Sequence, residues 1–406
     1  EIGICSMHCS LLDNGLYFYP DEDNTSFNKP CCTFGSGIPS KSKNFSNHRQ
    51  LRRLNIQESD TFYDDPFRKL HLRLLNKGGK PEACNSCWKH EDVGYPSMRT
   101  RINELNFSDS SKALKYIELN TGNTCNIQCI MCNPSDSLTT KTYYEHVTTE
   151  YPSLSTKDNN KYQFAKGRGL RKSDIDNINW KQFKDLEYLK TTGGETFYTK
   201  EFWYFLNKLI ENDLARNISL IVVTNNTVQL TPDKIDTFKE FNKVKIFSSI
   251  DGIGSLCDTI RAGSKWNEVE QNVKHLIELH KEFPKQFLHT EPHSVVQFAN
   301  ILQLDDIVNW WENIAINDEF KGKHYLRILD QPKWFEPGIV NDDVKGKAIS
   351  KYKDIKKLNH VVKYLKSYES KDDFVFKYTV PIFEEICRLN KQDPFSSEAY
   401  EVIKNA

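Results

Sequence analysis

The sequence predicts an α/β fold, a partial (β/α)6 barrel with a cysteine-rich N-terminal region before it and a helical cap after it. Three observations predict this. Six apolar, strand-like runs alternate with amphipathic segments between residues 113 and 335; each run ends in a polar or glycine-rich cluster; and three cysteines follow the first run. Strands alternating with helices imply a parallel sheet with right-handed crossovers. Chemistry is then expected at the carboxyl ends of the strands, as in full barrels.

Residues 1–112 come first, with six cysteines, many Asn, Ser, Pro and Gly residues, and only short apolar runs. A region so poor in core needs staples. The predicted strands follow as Ala113 to Asn120, Leu186 to Thr192, Ser219 to Thr224, Val244 to Ile250, Phe287 to Gln297 and His324 to Leu329. Between them, Phe202, Leu206 and Leu209 share one helical face, as do Val269, Val273, Leu276 and Ile277. Residues 336–406 read as helical, most clearly over Tyr352 to Tyr368 and Val380 to Leu389. The Lys-rich stretch between Lys345 and Lys366 reads as a solvated helix face.

Composition narrows the partners. The 55 basic and 55 acidic residues balance, so no global field argues for nucleic acid. No run approaches the roughly 18 apolar residues of a membrane helix, and the first residues lack the basic and apolar regions of a signal peptide. A cytoplasmic protein is expected. The 11 cysteines fall largely into groups, 5/9, 31/32, 84/87 and 125/129/132, a habit of metal chelation rather than of disulfides.

Cys125, Cys129 and Cys132 form a C-x3-C-x2-C pattern just after the first strand. Three thiolates can hold three irons of a 4Fe-4S cluster and leave the fourth open to a small molecule. Structural zinc instead recruits four closed ligands, which a compact triplet does not supply. The pattern and its setting resemble the radical S-adenosylmethionine (SAM) enzymes. That resemblance implies that the open iron chelates SAM, which is cleaved reductively to a 5'-deoxyadenosyl radical.

Later strand ends extend the resemblance. Gly193-Gly194-Glu195 is similar to the GGE motif that holds the SAM amino group, with Thr196 where a proline is usual. The two glycines would let the backbone approach a ligand, and Glu195 would accept from the ammonium. Thr224 to Thr227 and Ser248 to Gly252, with Arg261 beyond, resemble the third- and fourth-strand signatures. Asn225 and Ser249 are then candidates for the ribose, and Arg261 for the SAM carboxylate. Gln297 and Asn300 are further candidates, and Met131 stands where an aromatic residue often packs near the adenine. Asn126 is read alternatively as orienting the cysteine loop.

In the N-terminal region Cys84 and Cys87 form a C-x2-C pair. Paired cysteines suit zinc as well as a second 4Fe-4S cluster. The order of an early Cys, Asn14-Gly15, Pro30-Cys31-Cys32 and the C-x2-C pair, followed by Trp88, Glu91, Gly94, Ser97 and Arg99, resembles radical SAM proteins whose twitch or SPASM-type auxiliary-cluster module precedes the barrel. It implies an auxiliary 4Fe-4S cluster on Cys9, Cys31, Cys84 and Cys87, with Cys32 competing with Cys31 and Cys5 a substitute for Cys9. Of the others, Cys387 reads as core. Cys257, in a loop expected at the barrel mouth, is a candidate hydrogen-atom donor to a substrate radical.

The expected function is radical SAM chemistry, with two 4Fe-4S clusters and SAM. A peptide or natural-product intermediate is the favoured substrate, for oxidation, bond formation or epimerisation, and an electron donor such as flavodoxin or ferredoxin is implied. Two alternatives stand beside it. A nucleic-acid-modifying radical SAM enzyme is disfavoured by the neutral charge. A non-catalytic iron-sulfur or zinc scaffold, or redox sensor, would leave Gly193-Gly194-Glu195 without a purpose.

Overall fold

The computed structural model describes residues 9–19, 27–29, 31–32, 66–92, 94, 96–105, 107, 113–154, 166–288, 290–315, 320 and 323–405. Its strands are β1 (Gly15–Tyr19), β2 (Phe27–Lys29), β3 (Tyr116–Asn120), β4 (Gln128–Cys129), β5 (Tyr188–Thr192), β6 (Ser219–Thr224), β7 (Lys243–Ser249), β8 (Arg261–Ala262), β9 (Glu291–Val296) and β10 (Tyr325–Ile328). Eight of them make one sheet in the order β10-β9-β7-β6-β5-β3-β1-β2. The run from β10 through β3 is parallel throughout, and each of its six strands overlaps one of the six predicted, β7 starting one residue early at Lys243.

The N-terminal region joins this sheet directly. β1 lies parallel to β3, Gly15 opposite Tyr116 and Phe18 opposite Leu119, and β2 returns antiparallel to β1. The expectation of a region held together only by its cysteines therefore misses a two-strand extension. Its short apolar run, Leu16 to Phe18, pairs with a partner about a hundred residues away, which local periodicity does not reveal.

The two faces of the sheet differ in chemistry because successive side chains point to opposite sides. Leu119, Leu189, Leu220, Val222, Val244 and Ile246 face a helical layer that includes Phe202, Phe205, Leu206, Leu209 and Phe238, all buried. Each such side chain contributes roughly 1.5–3 kcal/mol. The other face is polar: Glu118 meets Lys190 at 2.9 Å, and Glu291 meets Lys245 at 3.0 Å and His293 at 3.1 Å. The sheet is curled and partly closed. Burial depresses the ionisation of His293 on β9, with smaller contributions from Lys190 on β5 and Arg101 on the helix Met98–Asn103, and Arg101 also lies 4.3 Å from the Tyr325 ring of β10.

The C-terminal residues are helical, as expected, and they share one core with the cysteine loop. Ile127, Ile130 and Met131 pack in the cluster that holds Val344, Tyr352, Val361, Leu365, Phe383 and Ile386. Tyr352 to Tyr368 is not one helix. The helix Asp342–Tyr352 ends, a short 3-10 turn follows at Lys356–Leu358, and a second helix runs Asn359–Ser367. Among the described residues no helix is long and apolar enough to cross a membrane.

Candidate functional site

The loop after β3 is held from three directions. Its carbonyls are capped locally: Thr139 donates to Ile127 O at 2.8 Å, Ser137 to the same oxygen at 3.2 Å, and the Tyr143 hydroxyl to Ile130 O at 3.1 Å and to Cys132 O. On a second side β4 pairs with β8, setting Cys129 opposite Arg261, and Ile130 N donates to Ile260 O at 2.9 Å. From a third, the turn after β5 packs onto the backbone that leads into Cys125. Gly194 N donates to Gly122 O at 2.8 Å, and Glu195 N to Thr124 O at 2.9 Å.

This last contact explains the glycines. Gly193 has φ +131, and a Cβ there would meet Thr121 Oγ1 at 2.7 Å; a Cβ on Gly194 would overlap the Thr124 carbonyl. The close backbone approach expected toward a ligand is made instead toward residues 121–124. Gly193 and Gly194 thus set the height of the cysteine loop above the sheet.

Glu195 is fully buried and bonded within the chain. Oε1 accepts from Phe197 N at 3.0 Å and from the Thr224 hydroxyl at 2.7 Å, and Oε2 accepts from Asn225 N at 2.7 Å. Burial raises its pKa, and the bonds from Asn225, Thr224 and Phe197 oppose the rise. A carboxylate offers about four acceptor sites, so one remains, on Oε2. Asn225 then links this carboxylate to the first cysteine, because its Nδ2 lies 3.9 Å from Cys125 Sγ and 3.1 Å from Asn126 Oδ1. Asn126 in turn donates to Thr227 at 2.8 Å, which is the loop-orienting alternative.

Arg261 has a partner that sequence reasoning did not assign. Its Nη2 stands 2.6 Å from Asp251 Oδ2, close enough for an ion pair though without hydrogen-bond alignment, and Nη1 donates to Cys129 Sγ at 3.7 Å. A hydrogen bond from the Cys132 thiol, followed by the Arg261 charge, holds Cys129 below the usual thiol range; that same bond and burial push Cys132 up. Burial, then Cys129, raises Cys125 to about 11. Arg261, ten residues past Asp251 on the far side of a short helix, was the available signal for the pair.

The remaining candidates divide. Gln297, fully buried just after β9, finds no hydrogen-bond partner for either side-chain atom among the described residues, and neither do the buried Arg261 Nε and Asn226 Nδ2. Asn300 is committed to the fold, donating to Asp251 O and Val295 O, both at 2.9 Å. Ser249 closes β7 and is half-buried, and Met131 packs in the apolar core. Cys257 is fully buried with Ile250, Trp266, Val269, Ile307 and Trp311, and burial raises its thiol to about 12. In that surround it is a packing group rather than a thiol open to a barrel mouth. Cys387 is buried, as a core residue should be.

The N-terminal thiols also gather. Cys31 and Cys87 act on Cys9, and Cys9, Cys31 and Cys87 act on Cys84; burial is the largest cause in both and lifts Cys9 to about 12. Burial, then the charge of Glu118 on the polar side of the sheet, pushes the Cys32 thiol up. Beside the four thiols lies a cation. Arg99 forks onto Glu91 at 3.1 and 2.5 Å and sits 5.0 Å from the Trp88 ring, while Ser97 donates to Glu91 at 2.5 Å. Trp88, Glu91, Ser97 and Arg99 are therefore one network. Cys5 and Pro30 lie outside the described residues.

Among the described residues no three His, Cys, Asp or Glu side chains are placed to hold a single metal ion. A cluster asks for something different, since each thiolate binds its own iron. Cys125, Cys129 and Cys132 offer thiols from one short segment with Arg261 beside Cys129, and Cys9, Cys31, Cys84 and Cys87 offer thiols from separate segments with Arg99 nearby.

No protein-family model and no curated protein matches the chain. Solved structures similar to it include native anSMEcpe with bound AdoMet, 15% identical with a TM-score of 0.38 over 63% of this chain and 64% of that one. Streptococcus suis SuiB bound to precursor peptide SuiA is similar at 12% identity and a TM-score of 0.34, over 60% of this chain and 53% of that one. The chain spans less than two thirds of either.

Proposed function

We propose that the chain is a radical SAM enzyme with an auxiliary iron-sulfur cluster. The observation that carries this reading is the link from Cys125 through Asn225 to Glu195, which joins the thiol triplet to a buried carboxylate with one acceptor position left. When bound, a 4Fe-4S cluster with an open iron chelates SAM and supplies the electron for its cleavage to a 5'-deoxyadenosyl radical.

The chain's own residues then have defined tasks. Cys125, Cys129 and Cys132 would hold the cluster, and Glu195 would receive one hydrogen bond from the SAM ammonium. Gln297 and the open Nε of Arg261 would pair with SAM polar groups. Asn225 and Ser249 remain candidates for the ribose, with Asn225 reaching it only if its bond to Asn126 yields. Cys9, Cys31, Cys84 and Cys87 would hold the second cluster, with Arg99 offsetting its charge.

The polar face of the sheet would receive the substrate. Its Glu118–Lys190 and Glu291–His293 pairs and the Phe247 ring stacked on His293 at 3.9 Å suit a molecule with amide groups and side chains. We favour a peptide or natural-product intermediate, with an electron donor of the flavodoxin or ferredoxin kind. Anaerobic SAM-binding titration tests the assignment. Glu195→Gln should weaken SAM binding by about tenfold or more while the iron content stays unchanged. Unchanged SAM affinity would remove Glu195 from the site.

A further inference from the structure

A second cleft opens at the other end of the strands, away from the cysteine loop. Glu291 begins β9 and Tyr325 begins β10, and both border a cavity of about 670 Å³. Its walls come from three parts of the chain. Arg101 and Glu104 belong to the N-terminal region, Lys323 and His324 precede β10, and Lys356, Lys357, His360 and Lys363 belong to the C-terminal helices.

The charge in this cleft is one-sided. Five Lys or Arg residues line it against two acids. Glu291 is already engaged by Lys245 and His293, and Lys357 is balanced from outside by Glu312 at 3.0 Å. Among the described residues Lys356 and Lys363 form no ion pair, and the terminal nitrogens of Arg101 make no hydrogen bond while its guanidinium lies on the Tyr325 ring. His324 Nε2 is bonded to Ser294 at 2.8 Å, whereas its buried Nδ1 has no partner. Burial, with Lys357 and His293 next, holds that imidazole neutral down to about 3.

Spacing decides what such a cleft can take. Lys356, at the start of the 3-10 turn, and His360 and Lys363, on the helix Asn359–Ser367 that follows, all line the cleft, while Leu358, Val361, Val362 and Leu365 are buried. The row is about 10 Å long at roughly 1.5 Å per residue. A single phosphate does not reach both ends. An extended segment in the polyproline II conformation, with three residues per turn and a rise of roughly 3.1 Å per residue, places carboxylates three residues apart on one face over that distance. The rings of Tyr325, His324 and His360 between the cations give its intervening residues a surface to lie on.

We propose that this cleft binds an extended acidic peptide segment, with carboxylates at Lys356 and Lys363 and a third polar contact at Arg101. The site is separate from the thiol triplet and needs no metal. Recognition here would select substrates or partners by charge, independently of the group that reacts.

The test uses the full chain and a fluorescein-labelled hexapeptide carrying Glu at its second and fifth positions in a Gly/Leu/Ser background, read by fluorescence anisotropy. The Glu peptide should bind at least about tenfold more tightly than the same peptide with Gln at both positions. Raising salt from about 50 to about 300 mM should weaken it. The double variant Lys356→Glu with Lys363→Glu, both exposed, should lose about tenfold or more in affinity while its thermal unfolding stays unchanged. Equal binding of the two peptides, or full affinity in the double variant, would overturn the proposal. So would binding of inorganic pyrophosphate without binding of the Glu peptide.

Discussion

Arg261 and Asp251 form a buried ion pair, Nη2 to Oδ2 at 2.6 Å, that joins the end of β7 to the residue opposite Cys129. Asp251 is itself anchored, its Oδ1 accepting from Val295 N at 2.6 Å. Removing one member of such a pair leaves a charge buried without compensation, at roughly 3–5 kcal/mol. Asp251→Asn should therefore lower urea-unfolding stability by about that amount. A loss under about 1 kcal/mol would mean that Arg261 finds another partner.

The contact between Gly194 and Thr124 yields a second prediction. A methyl group on residue 194 would overlap the Thr124 carbonyl, so Gly194→Ala must lift the β5 turn off the segment leading to Cys125. Overpacking of this kind costs about 1–3 kcal/mol. Far-UV circular dichroism should stay close to the parent while reconstituted iron falls by about half, as expected when one of two clusters is lost. Full iron loading would show that the turn does not position the loop.

The gathering of Cys9, Cys31, Cys84 and Cys87 beside Arg99 predicts a second cluster. Reconstituted chain should hold about eight irons, falling to about four in Cys84→Ala. Cys32→Ala should keep about eight, because Cys32 is not among the thiols that act on Cys9 and Cys84. About four irons in the parent chain would remove the auxiliary cluster.

His324 sets a pH dependence. Its folded pKa is pushed down to about 3 by burial, Lys357 and His293, against 6.5 for an ordinary imidazole. The unfolded chain therefore binds the extra proton between these values. The contribution of His324 is complete above about 6.5 and is lost as pH falls toward 3. Between pH 7.5 and 5.0 the parent should lose about 1–2 kcal/mol more than His324→Asn in urea unfolding. Equal losses would place a charged imidazole in the folded state.

The strand-helix alternation was legible because burial on one face writes a period into the sequence. All six predicted strands, and the helical face of Phe202, Leu206 and Leu209, carry it. The pairing of β1 with β3 was not, since its register joins residues about a hundred positions apart. Motifs located the site but not the partners within it. Gly193 and Gly194 meet backbone rather than a ligand, and Arg261 meets Asp251, because close approach and ion pairing are settled by packing in three dimensions. Cys257 shows the same limit: a loop position suggested access, but it lies on the helix Ser255–Ile260 and packs against the helices Trp266–Glu282 and Leu304–Ile314.

The central claim is that Cys125, Cys129 and Cys132 hold a cluster on which SAM is cleaved. Its most direct test is the formation of 5'-deoxyadenosine by anaerobically reconstituted chain with dithionite and SAM. The account predicts 5'-deoxyadenosine from the parent chain and from Cys257→Ala, and none from Cys125→Ala. Fully iron-loaded parent chain that forms no 5'-deoxyadenosine, or undiminished formation in Cys125→Ala, would contradict it.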